Sequence, residues 1–112
     1  MKHLIEKVEC WAYARNLIEG STPTAQMLKL VEEMGELASG IAKGDRALQA
    51  DSIGDCLVVL IIIAEQLKMD IDVCLAMAYD EIKDRRGRMI DGVFVKDSDL
   101  PETREECPPN AY

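Results

Sequence analysis

The feature of the sequence that most constrains its fold is a continuous apolar run of nine residues, 56–64. The run lies inside a longer segment, residues 46–68, that contains no proline. Wound as a helix, the run points apolar side chains in every direction, so such a helix must be surrounded on all sides. Runs of Val and Ile also suit a buried strand, but the length of the whole segment favours a helix.

Glycine and proline divide the preceding and following parts of the chain into three further predicted helices, over residues 2–19, 23–43 and 72–86. Thr22 is suited to cap the second of these, and Pro23 to stand in its first turn, where no amide donor is needed. Aromatic residues make up only 4% of the chain and strand-like alternation is scarce, which favours an all-α fold. Four short helices, one of them enclosed all round, bury too little surface alone, so the pattern predicts an oligomer.

Two short segments follow the helices. Asp91 and Gly92 are flanked by apolar residues, a pattern typical of a β-hairpin with a two-residue turn. The last part of the chain is rich in charge and proline, which predicts a mobile tail. The predicted organisation is therefore one domain over residues 1–96 and a polar tail over residues 97–112.

Charge and composition argue against several classes of partner. The chain has 13 Lys and Arg against 21 Asp and Glu, and its net charge of -8 does not suit nucleic acid polymers or anionic membranes. No apolar run approaches the ~20 residues that span a bilayer, and the early acid Glu6 argues against a signal peptide. The four cysteines are scattered and the one histidine is His3, so we expect reduced thiols, no zinc site and a cytoplasmic protein.

Five carboxylates form the most informative pattern. Glu32, Glu33 and Glu36 lie three and four residues apart on one side of the second helix, and Asp51 and Asp55 lie one turn apart on the third. Like charges at these spacings repel by a few tenths of a kcal/mol per pair, and a bound divalent cation is the usual reason to gather them. Oxygen ligands without histidine or thiolate suit Mg²⁺, with Mn²⁺ as the alternative metal.

The glutamates also fit an ordinary solvated face, because they occupy the polar side of the second helix. The third helix favours a metal, since Asp55 directly precedes the buried run and an unpaired buried carboxylate costs several kcal/mol. Either a basic partner or a cation has to compensate that charge. Gly35 and Gly54 each stand beside an acid inside a helix, which fits room for a ligand and equally fits close helix packing.

Basic residues are concentrated at the end of the fourth helix, where four of the thirteen lie between positions 83 and 88. Lys83 and Arg86 are three residues apart and share one helical face, where both can meet phosphates. The alternative is that these cations complement the dipole at the end of the helix. Lys29 precedes Glu33 by one turn, so it either orients that carboxylate or forms a surface ion pair of little energy.

Three segments form an ordered set of motifs: residues 26–37 (QMLKLVEEMGEL), residues 51–60 (DSIGDCLVVL) and residues 81–88 (EIKDRRGR). In this order they resemble the first motif, the second motif and the closing basic segment of the MazG-like nucleoside triphosphate pyrophosphohydrolases. With residues 92–96 (GVFVK) included, the likeness covers roughly residues 4–96. The motif EExxE alone is weak, but the three segments together are fairly specific.

The resemblance implies a four-helix MazG-like bundle, a homotetramer or dimer, that hydrolyses a (deoxy)nucleoside triphosphate to the monophosphate and pyrophosphate with Mg²⁺. In the family pattern the second and third glutamates of EExxE bind metal, and these match Glu33 and Glu36. The second motif is ExxD, whose Asp matches Asp55. Its Glu position is Ser52 here, and Asp51, one full turn from Asp55, is expected to take its place as a ligand.

The expected chemistry follows from this ligand set. A Mg²⁺ ion bridges phosphate oxygens and lowers the pKa of the water that attacks phosphorus. Glu32, or the ligand Glu33, is expected to take the proton as general base. Lys83, Arg86 and Lys29 are expected to contact the substrate phosphates.

Two other functions fit the same residues. Phosphoribosyl-ATP pyrophosphohydrolase shares the implied fold and the bond that is cleaved, so only substrate choice separates it. A non-catalytic helical oligomerisation or regulatory module would use the acids for a structural metal. Trp11 lies on the apolar stripe of the first helix and is expected in the core, with stacking on a nucleobase as the alternative.

Overall fold

A computed structural model of the protein describes residues 1–99 and contains four helices followed by a two-stranded hairpin. The helices are α1 (Lys2–Ala14), α2 (Pro23–Lys43), α3 (Arg46–Gln66) and α4 (Ile71–Ile82). The strands are β1 (Gly87–Ile90) and β2 (Val93–Lys96), and a short 3-10 helix, Asp97–Asp99, follows them. The predicted all-α class is therefore confirmed, while most of the predicted tail lies outside the described residues.

The chain divides into two compact units, one over Met1–Ala76 and a second that begins at Met77. In the first unit α2 packs along α3, and α1 packs against α3. The two-residue connection between α2 and α3 makes them antiparallel neighbours. The buried core of this unit joins Ala12, Ile18 and Ile62.

The helix α1 is shorter than predicted because Asn16 adopts a left-handed backbone conformation, with φ of 57°. The amides of Asn16 and Leu17 donate to the carbonyls of Tyr13 and Ala12, at 3.1 and 2.9 Å. This pair of hydrogen bonds is the usual closure of a helix that ends in a left-handed residue, and asparagine accepts that conformation readily. Ile18 still reaches the core after the turn, so the apolar stripe continues past the end of the helix.

The helix α2 has the predicted bounds because its capping residues lie next to it in the chain. Thr22 Oγ1 accepts a hydrogen bond from the amide of Ala25 at 3.1 Å, and Gly44 ends the helix with φ of 67°. Asp45 then caps α3 by accepting a hydrogen bond from the amide of Leu48 at 3.1 Å. Gly44 thus ends α2, and the next residue, Asp45, caps the start of α3.

Thr22→Ala is expected to lower the free energy of unfolding by about 1 kcal/mol, because an amide in the first turn of α2 loses its partner. Chemical denaturation would measure the change. Thr24→Ala is the matched control, since Thr24 is exposed inside the same turn and should change stability by no more than a few tenths of a kcal/mol. Equal stability of the two variants would contradict the capping role.

The register between α2 and α3 is set close to their connection. The side-chain amide of Gln49 donates to the carbonyl of Gly40 at 3.1 Å, and a Cβ at Gly40 would lie 3.1 Å from the backbone nitrogen of Gln49. Glycine therefore allows the two helices to approach closely at this point. Because the helices are antiparallel, moving one turn back along α2 from Gly40 corresponds to moving one turn forward along α3 from Gln49. That step brings Glu36 level with Ser52.

The apolar helix α3 is only partly covered by this chain. It buries Val59, Ile61 and Ile62, but Leu57 and Leu60 remain about 40% exposed. Its 21 residues are long and apolar enough to cross a membrane by length and composition alone, a test that core helices of soluble proteins also pass. The expectation that α3 packs against a partner chain stays a prediction.

In the second unit the predicted hairpin is confirmed. The strands β1 and β2 are antiparallel, with Ile90 opposite Val93. Asp91 and Gly92 form the connection with φ of 50° and 79°, the two positive values that a tight hairpin turn requires. The amide of Asp97 donates to the carbonyl of Arg86 at 2.8 Å, which continues the pairing of the hairpin by one residue pair beyond Gly87 and Lys96.

Candidate metal centre

Three carboxylates from α2 and α3 converge at one place. Glu33, Glu36 and Asp55 each offer one oxygen, and these three oxygens all lie within 4.8 Å of one another. The convergence follows from the fold, because Glu33 and Glu36 share a face of α2 and the register places Asp55 beside them. Oxygens on opposite sides of a Mg²⁺ ion are about 4.2 Å apart, since each lies about 2.1 Å from the metal. The three side chains are thus spaced to hold one small divalent cation.

Glu33 is the buried member of this cluster. Only 9% of its side chain is exposed, and its Oε1 lies 3.3 Å from Nζ of Lys29. Its Oε2 is buried and has no hydrogen-bond partner within residues 1–99. A buried carboxylate oxygen without a partner is unfavourable, and a bound cation would satisfy it. The orphaned oxygen and the all-carboxylate donor set therefore fit a hard divalent metal.

Lys29 lies where the sequence predicts, one turn before Glu33. Its hydrogen bond to the Glu33 carboxylate raises the pKa of Lys29, and the negative charges of Glu33 and Glu32 raise it further. About half of the Lys29 side chain is exposed, so the ion pair itself adds little stability. The predicted contact of Lys29 with the substrate phosphates stays a prediction.

The other two predicted acidic site residues lie apart from the three. Asp51 is exposed, one turn before Asp55, and with Ile5 and Val8 of α1 it lines a cavity of about 420 Å³. Glu32 is exposed on α2. The ligand role of Asp51 and the base role of Glu32 stay predictions.

Ser52 is a residue that the sequence analysis treated only as a missing glutamate. Its side chain is fully buried, and its Oγ has no hydrogen-bond partner in the part of the chain that the structure describes. Ser52 precedes Asp55 by three residues on α3 and lies level with Glu36. The one signal in the sequence that could have pointed to Ser52 is its place three residues before Asp55.

Asp55 also borders a cleft of about 350 Å³ beside α1, which contains the exposed part of Trp11. The ring of Trp11 is 42% exposed, and the guanidinium carbon of Arg15 lies 4.8 Å from its centroid. The prediction that Trp11 lies in the core is therefore wrong, because the ring packs against the guanidinium of Arg15 and borders an open cleft. The ammonium-bearing Lys7 lines the same cleft.

The basic residues of the second unit do not share one helical face, because α4 ends at Ile82. Lys83 Nζ lies 2.9 Å from Oδ1 of Asp80. Arg86 lines a cleft of about 380 Å³ in which cations and acids alternate. The predicted contacts of Lys83 and Arg86 with phosphate remain predictions.

The larger part of the chain matches a known protein family. The family model described as the MazG nucleotide pyrophosphohydrolase domain matches residues 21–88. Over 70 residues the chain is 51% identical to a protein of Haemophilus phage HP1 described as an uncharacterized 18.2 kDa protein in the rep-hol intergenic region. The match covers 62% of this chain but only 43% of the phage protein, so the chain spans less than half of that relative. No solved structure matches the chain.

Proposed function

Because the chain belongs to the MazG nucleotide pyrophosphohydrolase family, we propose that it hydrolyses a ribo- or deoxyribonucleoside triphosphate to the monophosphate and pyrophosphate. Mg²⁺ is the proposed metal, with Mn²⁺ as a substitute. The observation that carries the proposal is the buried, unpartnered Oε2 of Glu33 beside the carboxylates of Glu36 and Asp55. A structure without a ligand for that oxygen would keep an unfavourable buried charge.

Each residue of the centre has a distinct part in this proposal. Glu33, Glu36 and Asp55 would hold the metal, and Lys29 keeps Glu33 in position through its contact with Oε1. When bound, the ion supplies charge neutralisation at the phosphates and a lowered pKa for water. Glu32 is exposed on the same helix and is the proposed base that accepts a proton from the attacking water.

In the proposed hydrolysis, one bond to phosphorus forms and one bond breaks. The water oxygen bonds to phosphorus, the bond to the departing pyrophosphate oxygen breaks, and the proton of the water passes to the base. A chain of net charge -8 repels a triphosphate, so positive side chains are needed to bind it. We assign that task to Lys83 and Arg86, since a guanidinium and an ammonium both form strong charge-assisted hydrogen bonds to phosphate.

The deciding experiment is pyrophosphate release from a panel of ribo- and deoxyribonucleoside triphosphates, with phosphoribosyl-ATP as a further substrate, in the presence of Mg²⁺, Mn²⁺ or EDTA. Release that depends on the metal, from one or a few nucleotides, would support the proposal and identify the substrate. Release from phosphoribosyl-ATP alone would assign the alternative enzyme. No release from either, by a folded protein that binds metal, would instead support a non-catalytic module.

We also propose that the protein is a homo-oligomer, a tetramer or a dimer, joined through α3 and α4. Leu57 and Leu60 of α3 are half-exposed, and no residue of α4 is buried. Exposed apolar side chains in this number are typical of association surfaces. Sedimentation at micromolar concentration is expected to give a mass of at least twice 12.5 kDa, and a monomer would contradict the proposal.

A further inference from the structure

The side chain of Ser52 is fully buried, and its hydroxyl has no hydrogen-bond partner within the described residues 1–99. A buried hydroxyl that is left unpaired is destabilising, so the position needs an explanation. Most buried hydroxyls in helices bond to a backbone carbonyl one turn earlier, and Ser52 Oγ makes no such bond. Its missing partner therefore has to come from outside this part of the chain.

The fold places Ser52 at the level of the carboxylate cluster. It precedes Asp55 by three residues on α3, so their side chains lie on neighbouring parts of one helical face. The close approach of Gly40 and Gln49 sets the register of α2 and α3, and it brings Glu36 level with Ser52. A second buried oxygen without a partner, Oε2 of Glu33, belongs to the same cluster. Of the three buried side-chain atoms without a partner in residues 1–99, Gln66 Oε1 lies at the far end of α3, whereas Ser52 Oγ and Glu33 Oε2 lie on facing stretches of α3 and α2, which fits one shared missing ligand.

We propose that Ser52 is a fourth, uncharged member of the metal site, an inference that rests on the proposed metal at Glu33, Glu36 and Asp55. Its hydroxyl oxygen is a hard, neutral donor of the kind that such ions accept. A serine side chain is shorter than the acidic ones and its Oγ is closed to water in this structure, so Ser52 acts through a water molecule that enters together with the ion. Mg²⁺ and Mn²⁺ sites in proteins commonly retain waters, which makes that arrangement ordinary. The hydroxyl thereby gains the partner that the chain does not supply.

The experiment compares Mn²⁺ binding by the unaltered protein and by Ser52→Ala, using titration calorimetry and electron paramagnetic resonance. We expect Ser52→Ala to weaken Mn²⁺ binding about threefold to tenfold, because the hydroxyl no longer holds its water. The metal-free variant should melt at the same temperature or higher, because the change removes an unpaired buried polar group. Weaker metal binding without loss of stability is a combination that a purely structural serine would not produce.

Two further variants make the result interpretable. Ser52→Cys keeps nearly the same shape but replaces a hard oxygen with a soft, weakly hydrogen-bonding sulfur, so it should weaken Mn²⁺ binding as well. Ser21→Ala is the matched control, since that half-buried hydroxyl accepts a hydrogen bond from Gln26 at 3.0 Å and lies before α2 begins. Its Mn²⁺ affinity should equal that of the unaltered protein.

The outcomes separate this inference from the proposed function. Failure of the unaltered protein to bind Mn²⁺ would overturn the proposed metal site and, with it, the role of Ser52. Normal binding by the unaltered protein, with Ser52→Ala and Ser52→Cys within twofold of it, would overturn only the role of Ser52. In that case Ser52 would be a packing residue between α2 and α3.

Discussion

Glu33→Gln is expected to lower pyrophosphate release at least about a hundredfold, which corresponds to about 2.7 kcal/mol of transition-state stabilisation. The amide keeps the shape of the side chain but removes the negative charge that the metal requires. Its effect on folding should be small, because the change breaks an ion pair with the half-exposed Lys29 and at the same time removes the negative charge from a buried group whose Oε2 has no hydrogen-bond partner within residues 1–99. We therefore expect the metal-free variant to melt at or above the temperature of the unaltered protein.

The measurement combines steady-state pyrophosphate release with calorimetric melting of the same samples. Glu19→Gln is a suitable control, since Glu19 is exposed in the turn before α2 and has no part in the site. It should leave both activity and melting temperature unchanged. A Glu33→Gln protein with nearly full activity would remove Glu33 from the metal site, and a large fall in melting temperature would mean that the carboxylate is structural.

Addition of Mg²⁺ or Mn²⁺ is expected to raise the melting temperature of the unaltered protein substantially. At a metal concentration of one hundred times Kd, binding to the folded state alone stabilises it by about 2.7 kcal/mol. For a domain near 100 residues that corresponds to a rise of roughly 10 °C. Thermal unfolding monitored with increasing metal, against an EDTA baseline, measures the shift directly.

The same titration tests which aspartate of α3 is the ligand. Asp55 contributes an oxygen to the cluster with Glu33 and Glu36 and Asp51 does not, although both aspartates line the cavity beside α1. Asp55→Asn should therefore lose most of the metal-dependent rise, and Asp51→Asn should keep it. The reverse result would restore Asp51 as the ligand that stands in for the missing glutamate. Loss of the rise in both variants would make both aspartates ligands, and a full rise in both would place the metal elsewhere.

The elements that could be predicted from the sequence are those whose causes are local. The bounds of α2 follow from Thr22 at its start and Gly44 at its end, which lie next to the turns that they cap. The hairpin follows from Asp91 and Gly92, because few residue pairs accept two positive φ values. The end of α1 was missed because Asn16 carries a weaker local signal than glycine, and the apolar stripe continued to Ile18.

The sequence by itself determined where the candidate oxygen ligands lie, because the spacing of Glu32, Glu33 and Glu36 places them on one side of a helix. It also determined that α3 must be enclosed, since an apolar surface on every face of a helix has to be covered. Neither conclusion required knowledge of how the helices pack against one another.

Only the tertiary structure decided which carboxylates meet and which polar groups are buried between the helices. Asp51 and Asp55 are both acidic and lie one turn apart, so local spacing cannot distinguish them. The choice depends on the rotation of α3 against α2, which is set where Gly40 lets the backbone of Gln49 approach closely. The burial of Ser52 likewise follows from tertiary packing. Rotation and register are properties of two packed helices, and no single segment of the chain contains them.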